Sequence, residues 1–168
     1  MTQLHAQPYD LDATGFYFDD LEQYQTKAKA NKNHYGQPVE EYEIQFIDGD
    51  SIECALARAW GLNQINFTAY FDAVDLWADF EKQIFIIAVG EGGYTFDHET
   101  VSAGEFNVDI YFVNSMKELA EQFVDEGIYG DIPDSLQYYI DTNAMARDMA
   151  VDYSETTIAG ESIVYRLS

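Results

Sequence analysis

The chain has 168 residues, enough for one ordinary domain or for two or three very small ones. It carries 31 acidic residues against eight basic ones, a net charge of −23, while 47% of its residues are hydrophobic. The apolar content argues against an intrinsically disordered chain, and the charge makes DNA, RNA and anionic membrane surfaces poor partners. We therefore expect partners that are basic.

The first sixty or so residues predict a small α+β unit. GFYF at residues 15–18 indicates a short strand, and a helix follows it with Asp19 or Asp20 as its N-cap. In residues 42–46 apolar and polar side chains alternate, which is typical of a half-buried strand with an acidic outer face. Residues 50–61 then predict a second helix.

The middle of the chain predicts helical structure. Between residues 67 and 84 aromatic and aliphatic residues recur at steps of three and four, with Asp72, Asp75 and Asp79 on the opposite side. We interpret these aromatic residues as core rather than as a ligand pocket. The run IFIIAV at residues 84–89 is compatible with a buried strand or a buried helix.

The last third again predicts strands and helices. NVDIYFV, residues 107–113, indicates a strand, and Ser115 with Glu118 forms a capping-box pattern at the start of a helix. Residues 132–153 predict two helices separated near residues 141–143. SIVYRLS closes the chain as a strand.

Three aspartates of this segment, Asp134, Asp141 and Asp148, are seven residues apart. On one helix they would form a carboxylate stripe rising about 10.5 Å per step, close to the roughly 10 Å of three phosphate steps in DNA. A solvated helix face explains the spacing equally well. The lack of countercharge along the whole chain favours a function for the acids.

The changes of pattern divide the chain into three domains: an α+β domain (1–62), a mainly helical domain (63–106) and a second α+β domain (107–168). The expected fold class is therefore α+β. At the charge density of B-DNA, a homodimer of this protein would match roughly 80 Å of duplex. Because a compact chain of this length has a radius of gyration of only about 15 Å, we expect the three domains to form an elongated subunit.

The sequence contains no strong catalytic or metal-binding signature. The three histidines are scattered, and Leu21 stands where a calcium loop opening at Asp10 would need its bidentate glutamate. Cys54 lies on a helical apolar pattern typical of a core residue. A pair of carboxylates as in a glycosidase stays possible. The absence of a leader pattern and of long apolar runs predicts a cytoplasmic protein without a membrane span.

Residues 130–149, GDIPDSLQYYIDTNAMARDM, resemble the antirestriction motif of the ArdA family of DNA-mimic proteins. GFYFDDLEQYQTKAK and VEEYEIQFIDGD resemble the N-terminal region of that family. Where many members have an aromatic residue after the Ile-Asp pair, this chain has Thr142, so a contact made by that ring is in doubt here. The motif residues of this chain are Ile132, Pro133, Leu136, Tyr139, Ile140, Asp141, Arg147 and Asp148.

This resemblance implies an inhibitor rather than an enzyme, carried on mobile genetic elements and acting without a cofactor. It implies that the protein occupies the DNA-binding groove of the methyltransferase core of type I restriction–modification enzymes. It also implies an elongated, curved homodimer joined through the C-terminal domains. Carboxylates would stand where phosphates of DNA stand, and we expect sixteen acids in that role: Asp19, Asp20, Glu22, Glu40, Glu41, Glu43, Asp72, Asp75, Asp79, Glu118, Glu121, Asp125, Asp134, Asp141, Asp148 and Asp152.

Within the motif we interpret Leu136, Tyr139, Ile140 and Met145 as packing residues, in the core rather than at a dimer interface. We interpret Arg147 as an ion-pair partner of a neighbouring aspartate, Asp141 or Asp148. Two alternatives for the whole protein stay open. Its acids could bind another basic DNA-binding protein, or they could adapt the surface to high salt, in which case the protein would unfold at low salt.

Overall fold

The computed structural model describes all 168 residues, and the chain divides into two compact units, residues 1–106 and 107–168. Each unit contains one three-stranded antiparallel sheet together with helices, so the expected α+β class is confirmed. The further separation of residues 1–62 from 63–106 stays a prediction. No helix has both the length and the apolar content needed to cross a bilayer.

The sheet of unit 1 consists of β1 (Gln3–Pro8), β2 (Phe16–Phe18) and β3 (Tyr42–Asp48), with β1 in the centre. Both β2 and β3 pair antiparallel with β1. Every second residue points into the core, so that Leu4 and Ile44 are buried while their chain neighbours are not. The strands β2 and β3 confirm the prediction, whereas β1 is an additional element.

The two predicted helices of the N-terminal region are confirmed, although the first ends at Ala30 and not near Asn33. Helix α1 (Leu21–Ala30) begins at Asp20, whose carboxylate accepts a hydrogen bond from a backbone N–H of the first turn. Helix α2 (Ser51–Trp60) begins at Asp50 and ends at Gly61, which has the left-handed conformation common at helix ends.

The central region is helical, as predicted, but the helix is interrupted. Helix α3 (Phe67–Leu76) ends at Trp77, which has an extended backbone, and α4 (Asp79–Phe85) begins two residues later. A π-helix (Ile86–Glu91) continues α4 directly, so the ambiguous run IFIIAV is a buried helical segment and not a strand.

Aromatic side chains fill the core of unit 1, as expected. Phe67 and Tyr70 of α3 are fully buried, and Phe67 lies 5.2 Å from Phe18 of the sheet between ring centroids. Trp60 of α2 stacks on Phe85 of α4 with ring centroids 4.8 Å apart. These contacts join the helices on both sides of residue 62 to the same unit.

The sheet of unit 2 consists of β4 (Val108–Tyr111), β5 (Ser154–Ile158) and β6 (Glu161–Leu167), with β6 in the centre. The predicted strands β4 and β6 are confirmed, and β5 is an additional strand that forms a hairpin with β6. The two turn residues, Ala159 and Gly160, have φ values of 51° and 84°, as a type I′ turn requires.

Helix α5 (Met116–Asp125) begins at Ser115, whose hydroxyl accepts the backbone N–H of Glu118 at 3.1 Å. The carboxylate of Glu118 reaches back to the N–H of Asn114, one residue earlier than in a regular capping box. Helix α7 (Thr142–Met149) packs against α5. The core beneath them contains Leu119, Ala120, Phe123, Met149 and Val164.

Candidate functional site: exposed carboxylates and the antirestriction motif

Acidic side chains are exposed throughout both units. None of the 31 acidic residues is buried, and all but five are exposed. Of the sixteen acids expected to replace phosphates, Asp19 is half-buried and the other fifteen are exposed. The five half-buried acids are Asp10, Asp19, Glu53, Glu81 and Asp109.

Few of the sixteen acids are neutralised by a neighbouring base. Asp79 lies 3.9 Å from the Nζ of Lys82, and Glu121 lies 3.7 Å from the Nζ of Lys117. The other fourteen form no ion pair. The Glu121–Lys117 pair is exposed on both sides, and such a pair contributes about 0–1 kcal/mol to stability. Asp79 instead pairs with Lys82, whose side chain is buried.

Some of these acids also stabilise the fold. Asp20 caps α1, and Asp141 caps α7 by accepting the N–H of Ala144 at 3.0 Å. Nine others, here called the bare acids, have side chains with no hydrogen bond or ion pair within the chain. They are Glu22, Glu40, Glu41, Asp72, Asp75, Asp125, Asp134, Asp148 and Asp152.

The three aspartates spaced by seven residues do not lie on one helix. Asp134 begins α6 (Asp134–Gln137), a single turn without buried residues, and the chain leaves the helical conformation before Asp141 starts α7. The predicted stripe is therefore wrong, although the predicted restart near residue 141 is confirmed. A helix this short lacks the packing that stabilises most helices in proteins, which explains why α6 ends after one turn.

Comparison with known proteins places these features in a family. A family model described as antirestriction protein (ArdA) matches residues 4–162. The chain belongs to the ArdA antirestriction family. This membership implies an antirestriction function, an interaction with restriction enzymes, and the role of an inhibitor rather than an enzyme. A search of curated proteins gives no match.

The polar residues of the ArdA motif are accessible. Asp141 and Asp148 are exposed, as is Arg147. Arg147 forms no ion pair in the structure, so the predicted pairing with either aspartate is wrong. Arg147 lies in the last turn of α7, and its long side chain is exposed to water. The guanidinium is therefore available to a partner.

The apolar residues of the ArdA motif fall into two groups. Met145 is half-buried and packs against the core between α5 and α7, as expected, and Ile140 is also half-buried. Leu136 and Tyr139 are 54% and 80% exposed, so a core role is wrong for both. Ile132 is half-buried and Pro133 is exposed.

Three further apolar side chains within or just before the motif are also exposed. We define the apolar motif surface as Ile128, Tyr129, Leu136, Tyr138 and Tyr139, each of which is more than half exposed. The ring centroids of Tyr138 and Tyr139 lie 6.1 Å apart, and exposed apolar side chains that form one patch mark sites of protein–protein contact. The motif segment therefore combines carboxylates without partners and apolar side chains without a core. Sequence reasoning found the motif but did not identify Ile128, Tyr129 and Tyr138, because apolar residues in a folded segment ordinarily indicate burial.

Proposed function

We propose that this ArdA protein inhibits type I restriction–modification enzymes by occupying the DNA-binding groove of their methyltransferase core. The observation that carries this proposal is the set of nine bare acids, which are exposed and whose side chains form no hydrogen bond or ion pair within their own chain. A groove that binds DNA is lined with basic residues, and it attracts a polyanion at long range. The sixteen acids would take the positions of phosphates.

The binding energy in such a complex is distributed over many contacts. One exposed charge pair is worth about 0.2–1 kcal/mol, so no single carboxylate dominates. Formation of the complex also releases ions from the basic groove, as DNA binding does, which makes the affinity fall as salt rises. No catalytic step and no cofactor is needed for this mode of inhibition.

We further propose that the protein acts as a homodimer whose subunits meet through the apolar motif surface of unit 2. Support comes from Leu136 and Tyr139, whose large side chains are uncharged and are exposed rather than buried in a core. A dimer doubles the number of carboxylates that one molecule presents to the enzyme. Since its target acts on DNA in the cell, the protein would work in the cytoplasm.

A competition experiment tests the proposal. A purified type I methyltransferase core is mixed with labelled target DNA, and the protein is titrated in at physiological salt. We expect stoichiometric displacement of DNA by the dimer, with displacement weakening as salt rises. Failure of a folded dimer to displace DNA from several such enzymes would contradict the proposal.

Salt adaptation is the alternative explanation for the same surface charge. A salt-adapted protein unfolds when ions are removed, whereas we expect this one to keep its far-ultraviolet circular dichroism at about 10 mM ionic strength, where the Debye length is about 30 Å. Loss of the helical signal under those conditions would favour salt adaptation.

A further inference from the structure

One segment of unit 1 departs from the acidic character of the rest of the chain. Residues 23–39 contain no acidic residue, although the residues on both sides, Glu22 and Glu40, are acidic. Three of the eight basic residues of the protein lie in this segment, and all three are exposed: Lys27, Lys29 and Lys32. The segment therefore carries only positive side-chain charges of its own, although Asp10 and Asp12 of the preceding loop contact it through Asn33 and His34.

None of these three lysines forms an ion pair. Lys27 donates a hydrogen bond from its Nζ to the carbonyl oxygen of Tyr17 at 2.6 Å, and Lys29 and Lys32 have no side-chain partner at all. Lys27 and Lys29 lie in the last turn of α1, where a cation interacts favourably with the helix dipole. That effect does not account for Lys32, which lies beyond the helix, or for the absence of acids.

The loop that follows α1 is held in a defined conformation. The Oδ1 of Asn33 accepts the backbone N–H groups of Tyr35 and Gln37 at 3.0 and 2.9 Å. Its Nδ2 donates to a carboxylate oxygen of Asp10 at 2.9 Å. Gly36 has a φ of 80°, which completes the turn. Tyr35 is 73% exposed at the tip of this ordered loop. Its ring makes an edge contact with the preceding histidine and does not pack in the core.

We propose that Lys29, Lys32 and Tyr35, here called the basic loop surface, bind an acidic surface of the restriction enzyme that lies outside its DNA-binding groove. This inference rests on the function proposed above. DNA presents no cations, so the contact would be one that the natural substrate of the enzyme does not make. A tyrosine at the tip of an ordered loop, in the same segment as two exposed lysines, is suited to such a contact, because little conformational entropy is lost when an aromatic side chain is buried.

The charge of the protein favours this partner over a nucleic acid. A nucleic acid would bring a large negative charge against a net charge of −23, and the repulsion would oppose binding. An enzyme that already holds the carboxylates in a basic groove brings charges of both signs. Its acidic surface approaches the lysines only after the attraction of the groove has formed the complex.

Two double variants with the same net charge test the proposal. K29Q/K32Q removes two positive charges from the basic loop surface, and R58Q/K117Q removes two exposed positive charges elsewhere. If the protein were only a polyanion, both variants would bind a basic groove as tightly as the wild type, or more tightly. We expect K29Q/K32Q to raise the concentration that displaces half of the DNA by about three- to tenfold. We expect R58Q/K117Q to stay at or below the wild-type value.

Y35A gives an independent measurement, since it leaves the charge unchanged and removes a ring that no core contact needs. It should weaken displacement in the same direction, while circular dichroism shows that the loop variants remain folded. Equal displacement by K29Q/K32Q and R58Q/K117Q, with wild-type behaviour of Y35A, would overturn the inference and leave the proposed function intact.

Two further outcomes are distinguishable. If the wild type displaces no DNA from the enzyme, the proposed function and this inference fail together. If a labelled duplex binds the wild type in the absence of enzyme, and K29Q/K32Q abolishes that binding, the surface recognises nucleic acid and the inference is wrong. We expect no such binding.

Discussion

Neutralising four bare acids of unit 2 at once tests whether the binding energy is distributed. The variant D125N/D134N/D148N/D152N replaces carboxylates that have no partner within the chain, so it should unfold no more easily than the wild type. Removing charges of one sign from a protein of −23 relieves repulsion and should slightly raise its stability. Asp141 is left in place, because its side chain caps α7 and replacing it by alanine would cost about 1 kcal/mol.

The size of the expected effect follows from the exposure of these four side chains. An exposed charge pair in the complex is worth about 0.5 kcal/mol, so four lost pairs weaken binding by about 2 kcal/mol per subunit. That corresponds to a loss of about 30-fold in affinity. Any one of the four substitutions alone should weaken binding only about twofold. The assay is displacement of labelled DNA from the methyltransferase core, with each variant first shown to be a folded dimer.

A matched control separates position from total charge. It neutralises four other exposed acids that are outside the sixteen and whose side chains have no partner, in the variant D12N/D48N/E99Q/E105Q. We expect this control to weaken displacement much less than the unit 2 variant. Equal weakening by both would show that only the net charge matters. A single substitution that abolished inhibition in a folded dimer would refute distributed binding.

Three further predictions concern the dimer, the hairpin turn and the N-terminal loop. Leu136→Asp should convert the dimer to a monomer in sedimentation experiments, whereas Val151→Asp, on an even more exposed residue outside the apolar motif surface, should not. Ala159→Gly should raise the free energy of unfolding in urea by about 1 kcal/mol, because the left-handed conformation at this position is unfavourable for alanine; no change would contradict the φ of 51°. The hydrogen bond from Asn33 holds the pKa of Asp10 below its usual value, so this contact stabilises the loop above about pH 4 and is lost as the pH falls through the lowered pKa. The side-chain amide signals of Asn33 should report that transition, and a titration unchanged by Asp10→Asn would contradict the assignment.

Local signals in the sequence predicted those elements whose ends carry specific chemistry. Asp20 and Ser115 cap helices where the sequence predicted caps, and Gly61 ends α2. The strand β1 was not predicted although its buried residues alternate with polar ones, and β5 was not predicted because it carries little apolar pattern. In β5 only Ile158 is buried, and the strand exists mainly because it pairs with β6. A strand that is stabilised mainly by hydrogen bonds to another strand cannot be recognised from its own sequence pattern.

The candidate site was predictable in its charge and not in its geometry. Exposure of the acids follows from their number, since burial of an unpaired carboxylate is costly. The heptad spacing of Asp134, Asp141 and Asp148 suggested a continuous stripe, but the sequence does not show that α6 lacks a packing partner. For the same reason Leu136 and Tyr139 were assigned to a core that does not extend to them.

The distinction between capping acids and bare acids affects how such a sequence can diverge. Asp20 and Asp141 are tied to the first turn of a helix, so shifting either by one residue would remove a cap as well as a charge. A bare acid such as Asp75 or Asp152 has no such tie, and a neighbouring exposed position could carry its charge without a cost in stability. Selection for a new target enzyme could therefore change the positions of the surface charges through the bare acids, while the helices themselves remain unchanged.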